Sequence, residues 1–279
     1  MIIDAHHHLW TADYPWLASE PRFAPIRRDY TVADLRKRLA TAGVAKTVLV
    51  EAGHCDDAET TEFLAIARAT PEIAAVVGWA DPLDPALTEK IAAHRAGPGG
   101  AKLAGLRSQV QGEADPDFLA RPDVIDGIAA IADAGLVFDL VIRADQLPGA
   151  VVAAKSLPQA RLVLDHLAKP PIAAGTPGAV RAWRSALENL AGCANVVAKL
   201  SGLVTEADWA RWTGDDLRPY VETALDFFGS DRLMWGSDWP VAELAGGYDR
   251  WLSAARDLVP AAAHEAVFGG TAARTYGLD

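Results

Sequence analysis

Residues 161–202 read RLVLDHLAKPPIAAGTPGAVRAWRSALENLAGCANVVAKLSG. Apolar runs of strand length stand at both ends of this stretch, and the segment GAVRAWRSALENLAG between them has apolar residues at helical spacing. Two parallel strands need a long crossover, which is usually a helix. The stretch therefore predicts a strand–helix–strand unit.

The same alternation continues in both directions along the chain. Helical spacing is clear in residues 31–43, where Thr31 is suited to cap the helix and Gly43 to end it. Further helical patterns lie in residues 59–69, 122–135, 178–192 and 218–229. Apolar runs predict eight strands, which start near residues 2, 46, 74, 103, 136, 161, 195 and 232.

Eight strand–helix units in one α/β chain predict a (β/α)8 TIM barrel that forms a single domain over residues 1–279. An open, doubly wound sheet is the alternative. It is disfavoured because no G-x-G-x-x-G motif follows the first strand and the chain has no G-x-x-x-x-G-K-[ST] motif.

Composition excludes several classes of partner. The 279 residues carry a formal net charge of -11, which argues against binding to nucleic acid or to an anionic membrane surface. Hydrophobic residues make up 51%, enough for a large core, yet no uninterrupted apolar run is long enough to cross a membrane. The first residues lack the pattern of a secretory signal, so we expect a cytoplasmic protein. The composition is compatible with a homo-oligomer as well as with a monomer.

Polar side chains cluster where the predicted strands end. In a TIM barrel the catalytic groups come from these ends, which meet at one face. The residues concerned are His6, His8, Glu51, His54, Trp79, Asp81, Arg107, Gln109, Asp165, His166, Lys199, Ser201, Ser237 and Asp238.

The first strand carries three consecutive histidines. Because side chains alternate along a strand, His6 and His8 are predicted to share one face, and His7 to point to the other. Asp238 follows the eighth strand in the segment MWGSDWP, between two tryptophans. A carboxylate beside apolar rings is poorly solvated, so a raised proton affinity and a role as general base are predicted for it.

Several stretches together resemble the amidohydrolase superfamily, and more closely its lactonase branch of L-fuconolactonase-like and 2-pyrone-4,6-dicarboxylate lactonase-like enzymes. The resemblance lies in H-x-H at the end of the first strand, a later strand ending in histidine, and an aspartate ending the eighth. It also lies in the segments VLDHLAKP, KLSGL and WGSDWP, in this order. It implies a TIM barrel and a hydrolase.

The chain also departs from the superfamily pattern. Members with two metals usually have a lysine ending the fourth strand and a histidine ending the fifth, where this chain has Arg107 and the segment LVFDLVIR. The resemblance therefore implies a single divalent ion, with zinc the best match to the ligand types, or a site that works without metal. The implied ligands are His6, His8, His166 and Asp238.

The resulting hypothesis is that the protein opens a lactone ring, with a sugar lactone as the favoured substrate. Asp238 would activate water, while His6, His8 and His166, or a metal they hold, would stabilise the developing oxyanion. Substrate contacts are predicted for Arg107, Trp79, Glu51, Lys199 and Trp239. The alternatives are a metal-dependent decarboxylase of the same superfamily and a non-catalytic barrel that binds a sugar or an anion.

Overall fold

The computed structural model describes residues 1–278. These residues form eight strands: β1 (Ile2–His7), β2 (Val44–Val50), β3 (Ile73–Trp79), β4 (Leu103–Ser108), β5 (Val137–Leu140), β6 (Leu162–Leu164), β7 (Val196–Leu200) and β8 (Leu233–Trp235). Each strand pairs with the next in parallel, in the order β1 to β8.

The sheet curls until its two edges meet. The segment that follows β8 bonds to β1, since the amide of Asp238 donates to the carbonyl of His6 at 2.8 Å and the amide of His8 donates to the carbonyl of Trp239 at 2.7 Å. The predicted TIM barrel is confirmed. Its closure lies beside the first histidines of the chain, which places β1 and the end of β8 at the same point of the rim.

Helices fill the connections between the strands. The described residues contain α1 (Val32–Ala42), α2 (Asp57–Ala69), α3 (Leu87–Ala96), α4 (Pro122–Asp133), α5 (Leu147–Ser156), α6 (Pro177–Ala191), α7 (Leu203–Glu206), α8 (Gly214–Phe228), α9 (Gly247–Leu258) and α10 (Thr271–Tyr276). None of them is both long and apolar enough to span a membrane.

The ends of α1 agree with the sequence prediction. The hydroxyl of Thr31 accepts a hydrogen bond from the amide of Asp34, whose carboxylate accepts from the amide of Thr31 in return. Gly43 ends the helix with φ of +67°, a left-handed conformation that suits glycine. Local capping chemistry therefore fixes both ends of this helix.

Small and branched side chains fill the lower barrel. Ile3, Ala5, Val48, Val50, Ala75, Val77, Val137, Val163 and Met234 form one buried cluster inside the ring of strands. Larger residues pack between the strands and the surrounding helices. The apolar filling ends below the rim, where charged and polar groups replace it.

The strands at the rim are shorter than the sequence predicts. β6 ends at Leu164, and the four residues 166–169 that follow all have φ between +50° and +57°, although none is glycine. Asp238, after the short β8, also has a positive φ of 55°. Left-handed backbone is costly for such residues and tends to occur at functional sites. The strands end early because the chain turns to direct these side chains inward.

Candidate active site

A cavity of about 610 Å³ opens at the rim formed by the C-terminal ends of the strands. His8, Arg107, His166 and Asp238 line its inner part. All four residues are at most 7% exposed, so they face the cavity from within the protein rather than from its surface. The cavity lies where a TIM barrel places its catalytic groups.

Three imidazoles surround the carboxylate of Asp238. The Oδ1 atom of Asp238 lies 3.8 Å from Nε2 of His6, 3.5 Å from Nε2 of His8 and 3.9 Å from Nε2 of His166. The rings of His6 and His166 meet edge to face, with centroids 4.5 Å apart. The structure thus brings together the four residues predicted to be catalytic.

A shift in strand pairing turns His6 and His8 into the barrel. The register between β1 and β2 slips between Asp4 and His7. As a result Ala5 lies in the interior cluster while the adjacent His6 also faces inward, and His7 points outward to the hydroxyl of Thr47 at 2.9 Å. Such irregularities re-aim side chains near active sites.

Asp4 anchors this irregular segment. Its carboxylate is fully buried and accepts hydrogen bonds from the amides of His6 and Ser237 and from the hydroxyl of Tyr248. Burial raises the pKa of Asp4 to about 6, although these hydrogen bonds oppose the rise. One buried group therefore ties β1 to the segment that carries Asp238.

His166 owes its position to the strained turn after β6 and to its neighbours from β7. Its Nδ1 atom lies 2.9 Å from the hydroxyl of Ser201. Gly202, with φ of +64°, passes so close that a Cβ atom there would lie 2.6 Å from Nδ1 of His166. A glycine is required at this position because the imidazole occupies the space of a side chain.

A chain of buried charges lies beneath the histidines. Arg107 bonds through Nε to Glu51 at 2.7 Å and through Nη1 to Asp165 at 2.9 Å. Lys199 bonds to the same Asp165 at 2.9 Å and to Asp139 at 2.5 Å. Two cations and three carboxylates, all nearly inaccessible to solvent, thus alternate across the barrel. They hold the floor of the cavity in a fixed arrangement.

This network continues into His6. Its Nδ1 atom lies 3.3 Å from Oδ1 of Asp165 and 3.2 Å from Nζ of Lys199. Burial would raise the pKa of Asp165, but the positive charges around it outweigh burial and hold that pKa well below its ordinary value. The ionised Asp165 thus lies beside Nδ1 of His6, while Nε2 of His6 lies 3.8 Å from Oδ1 of Asp238.

Burial also favours the neutral imidazole in His6 and His166. It lowers the pKa of His6 well below its ordinary value and that of His166 to about 4. In His8, Nδ1 lies 3.0 Å from the carbonyl oxygen of Val50, which can only accept, so Nδ1 carries the proton. A neutral imidazole is the form that binds a metal.

The environment of Asp238 differs from the one predicted. The sequence suggested a raised proton affinity beside apolar rings. In the structure, burial favours the neutral acid, but the nearby His166 and a hydrogen bond from His8 outweigh it and lower the pKa of Asp238. The prediction was wrong because the carboxylate faces the histidines rather than the tryptophans. Asp238 is ionised at neutral pH and can accept a proton.

The donor set fits a single divalent ion. One ligand atom each from His6, His166 and Asp238 lies within 4.8 Å of the others. The Nε2 atoms of His6 and His8 are only 3.2 Å apart, so their lone pairs would repel unless a proton or a cation lies between them. Imidazole nitrogen and carboxylate oxygen are ligands that zinc takes.

The five predicted substrate contacts separate into two groups. Arg107 lines the cavity. Glu51 and Lys199 are fully buried in the ionic network, and Trp239 is 1% exposed and donates to Glu243. Trp79 lies in a different, smaller pocket, beside α2 and α3. The structure therefore places four of these five side chains outside the cavity wall, because each is committed to packing or to an ion pair.

Sequence reasoning missed Asp139 and placed Asp165 among the polar strand ends without a specific role, although both are buried at the heart of the network. A charged residue inside an otherwise apolar strand, as in LVFDLVI, was the available signal. Such a carboxylate must be paired when the strand is buried. The partner, Lys199, lies 60 residues further along the chain and could not be identified from spacing alone.

Replacement of Lys199 by methionine is expected to lower the free energy of unfolding by about 3–5 kcal/mol, because it leaves the buried carboxylate of Asp139 without a cation and that of Asp165 with Arg107 alone. Urea denaturation followed by circular dichroism measures this change. Lys37→Met is the matched control, since Lys37 is 76% exposed in its pair with Asp34 and should contribute at most about 1 kcal/mol. Equal effects of the two substitutions would contradict a structural role for the network.

Comparison with known proteins agrees with this geometry. The sequence profile of a family described as amidohydrolase matches residues 3–278. An L-fucono-1,5-lactonase of Burkholderia multivorans is 40% identical over 293 residues, covering 99% of this chain and 96% of the relative. An L-fucono-1,5-lactonase of Burkholderia ambifaria is 38% identical, with the same coverage.

A solved structure is similar over the whole chain. The crystal structure of an amidohydrolase from Burkholderia multivorans with bound zinc superposes with a TM-score of 0.92 and 38% identity, and the match covers 100% of both chains.

Proposed function

The chain belongs to the amidohydrolase family, and from this membership and the geometry of the cavity we propose that it hydrolyses a sugar lactone, with L-fucono-1,5-lactone the first candidate. The observation that carries the proposal is the carboxylate of Asp238 at the inner end of the cavity, within 3.9 Å of three imidazoles. Relatives that cover nearly the whole chain carry the name of this activity.

Asp238 is the general base of the proposed reaction. Its ionised carboxylate removes a proton from a water molecule, whose oxygen attacks the carbonyl carbon of the lactone; the ring C–O bond then breaks and the ring oxygen leaves as a hydroxyl after taking up a proton. The backbone around Asp238 holds the carboxylate in place, because its amide donates to His6 and its carbonyl accepts from Ala242. A fixed base reduces the entropy lost on reaching the transition state.

His6, His166 and Asp238, with His8 beside them, would hold a divalent ion. When bound, such an ion would polarise the carbonyl and make a water molecule more acidic. That contribution suits a base whose pKa is lowered. Asp165 acts on this set indirectly, because it orients the ring of His6 from the opposite side.

Arg107 and two glutamines are suited to bind the sugar hydroxyls. Among the described residues Arg107 uses four of its five N–H groups, on Glu51, Asp165 and His6, and one on Nη2 is left for a ligand. Gln109, Gln111 and Trp10 also line the cavity. Polar groups beside an aromatic face match a ring that has hydroxyl edges and apolar faces.

Proton release from a panel of aldono-1,5- and 1,4-lactones tests the proposal. We expect rapid hydrolysis of L-fucono-1,5-lactone and slower hydrolysis of its stereoisomers. Release of carbon dioxide from aromatic acids, with no reaction of any lactone, would instead support a decarboxylase. Lactone binding without any turnover would support a non-catalytic barrel.

Replacement of Gly202 by alanine is expected to reduce lactone turnover about a hundredfold, because the new Cβ would displace the ring of His166 by a large fraction of an ångström. Steady-state rates measure this effect. Gly43→Ala is the matched control, since Gly43 has the same left-handed backbone, with φ of +67°, but nothing within 4 Å of an added Cβ. Both variants should lose about 1–2 kcal/mol of stability, and only Gly202→Ala should lose activity. Equal rates in the two variants would contradict the assigned position of His166.

A further inference from the structure

The cavity is larger than a monosaccharide lactone requires. At the packing density of protein interiors, a six-membered aldonolactone occupies roughly 200 Å³. The cavity has a volume of about 610 Å³. A ligand seated at Asp238 would leave most of this space to the outer part of the cavity.

Aromatic rings follow one another from the reaction centre outward. The ring of Trp10 lies 6.3 Å from that of His8, the ring of Trp16 lies 5.2 Å from that of Trp10, and the ring of Phe23 lies 5.3 Å from that of Trp16. All four residues line the cavity. One sugar ring stacks on one aromatic ring, so this aromatic wall of Trp10, Trp16 and Phe23 is longer than one sugar needs.

A second loop completes the outer end. Trp209, between α7 and α8, also lines the cavity, and its indole donates to the carbonyl of Thr205 at 2.8 Å. The guanidinium of Arg22 lies 5.0 Å from the ring of Phe23 and 5.7 Å from that of Trp209. Phe23 and Trp209 are thus brought together from two different loops at the mouth of the cavity.

The charges at this outer end are balanced. Arg22 is paired with Glu20 at 2.9 Å. Lys169 and Glu206 both line the cavity, and the positive charge of Lys169 opposes the burial that raises the pKa of Glu206. Equal numbers of positive and negative groups offer no net attraction to an anion. Donors and acceptors beside aromatic rings suit a neutral, hydroxyl-rich ring.

We propose that the outer part of the cavity is a second subsite, which holds a neutral glycosyl substituent carried by the aldonolactone. Phe23 and Trp209 contact the faces of this second ring, and Lys169 and Glu206 hydrogen-bond to its hydroxyls. The inference rests on the proposed function, since it assumes that the lactone ring lies at Asp238. It extends the substrate class from monosaccharide lactones to lactones of oligosaccharides.

The test compares L-fucono-1,5-lactone with the same lactone bearing a hexopyranosyl group at O-2, O-3 or O-4, each prepared by oxidation of the corresponding disaccharide. We expect at least one substituted lactone to have a kcat/KM that equals or exceeds that of the parent. Phe23→Leu and Trp209→Leu should lower kcat/KM of that substrate about tenfold, because a flat contact surface is lost. The same variants should change the parent rate less than about twofold.

Phe118→Leu is the control, because the ring of Phe118 also lies beneath an arginine, Arg121, but outside the cavity. The inference is overturned when all three substituted lactones react more slowly than the parent, or when the Phe23 and Trp209 variants affect parent and substituted lactones equally. Failure of the wild-type protein to hydrolyse the parent lactone would instead overturn the proposed function.

Discussion

Replacement of Asp238 by asparagine is expected to lower kcat/KM for L-fucono-1,5-lactone by a factor of about 10²–10⁴, the contribution typical of a general base. Asparagine has the size of aspartate but cannot take up the proton of the attacking water. The backbone bonds of Asp238 to His6 and Ala242 do not depend on the carboxylate, so the fold should be retained. Proton release followed with a pH indicator gives the rates.

Asp215→Asn is the control for the loss of one negative charge, because Asp215 is 88% exposed and lies far from the cavity lining. It should keep full activity. Thermal unfolding should show that Asp238→Asn remains folded. A folded variant that keeps more than a third of the wild-type rate would show that another group accepts the proton.

Removal of divalent metal is expected to lower the lactonase rate by about a hundredfold or more. Replacing a residue that only hydrogen-bonds to a metal ligand already lowers activity, and loss of the metal itself should have at least as large an effect. Added zinc should restore the rate. Zinc at 100 times its dissociation constant should also stabilise the metal-free protein by about 2.7 kcal/mol. Metal analysis, steady-state rates and thermal unfolding before and after treatment with a chelator measure the three quantities.

Two histidine variants show whether the predicted ligands are responsible. His166→Ala should abolish the stabilisation by zinc, because it removes one of the three ligand atoms that lie together. His264→Gln is the control, since the ring of His264 hydrogen-bonds to the backbone carbonyls of Arg256 and Val259 and does not line the cavity. This variant should respond to zinc like the wild type. Full activity in protein shown to be free of metal would establish the metal-independent alternative.

The barrel could be predicted because each strand and helix carries its own local signal. Eight apolar runs and the caps at Thr31 and Gly43 are visible in the sequence, and the structure confirms them. The helices α3, α5, α7, α9 and α10 were not identified; α3 and α5 begin without a capping side chain and have apolar residues on more than one face. Irregular strand ends such as residues 166–169 depend on tertiary contacts, which local patterns do not contain.

The family resemblance carried by the motifs is confirmed, since the amidohydrolase profile matches residues 3–278. The individual roles were harder to assign. The sequence predicts substrate contacts for Lys199 and Glu51, yet both are buried and paired with partners more than 50 residues away. The charge state of Asp238 depends on which rings surround it, and this in turn depends on the register shift in β1.

We propose above all that the protein hydrolyses a sugar lactone in this cavity. It is tested most directly by incubating the wild-type protein with L-fucono-1,5-lactone and following the ring protons by ¹H NMR against the uncatalysed reaction. We expect the signals of the lactone to be replaced by those of the open-chain aldonate much faster than in buffer, and Asp238→Asn to lose this acceleration. Conversion at the buffer rate by folded protein, with zinc present, would contradict it.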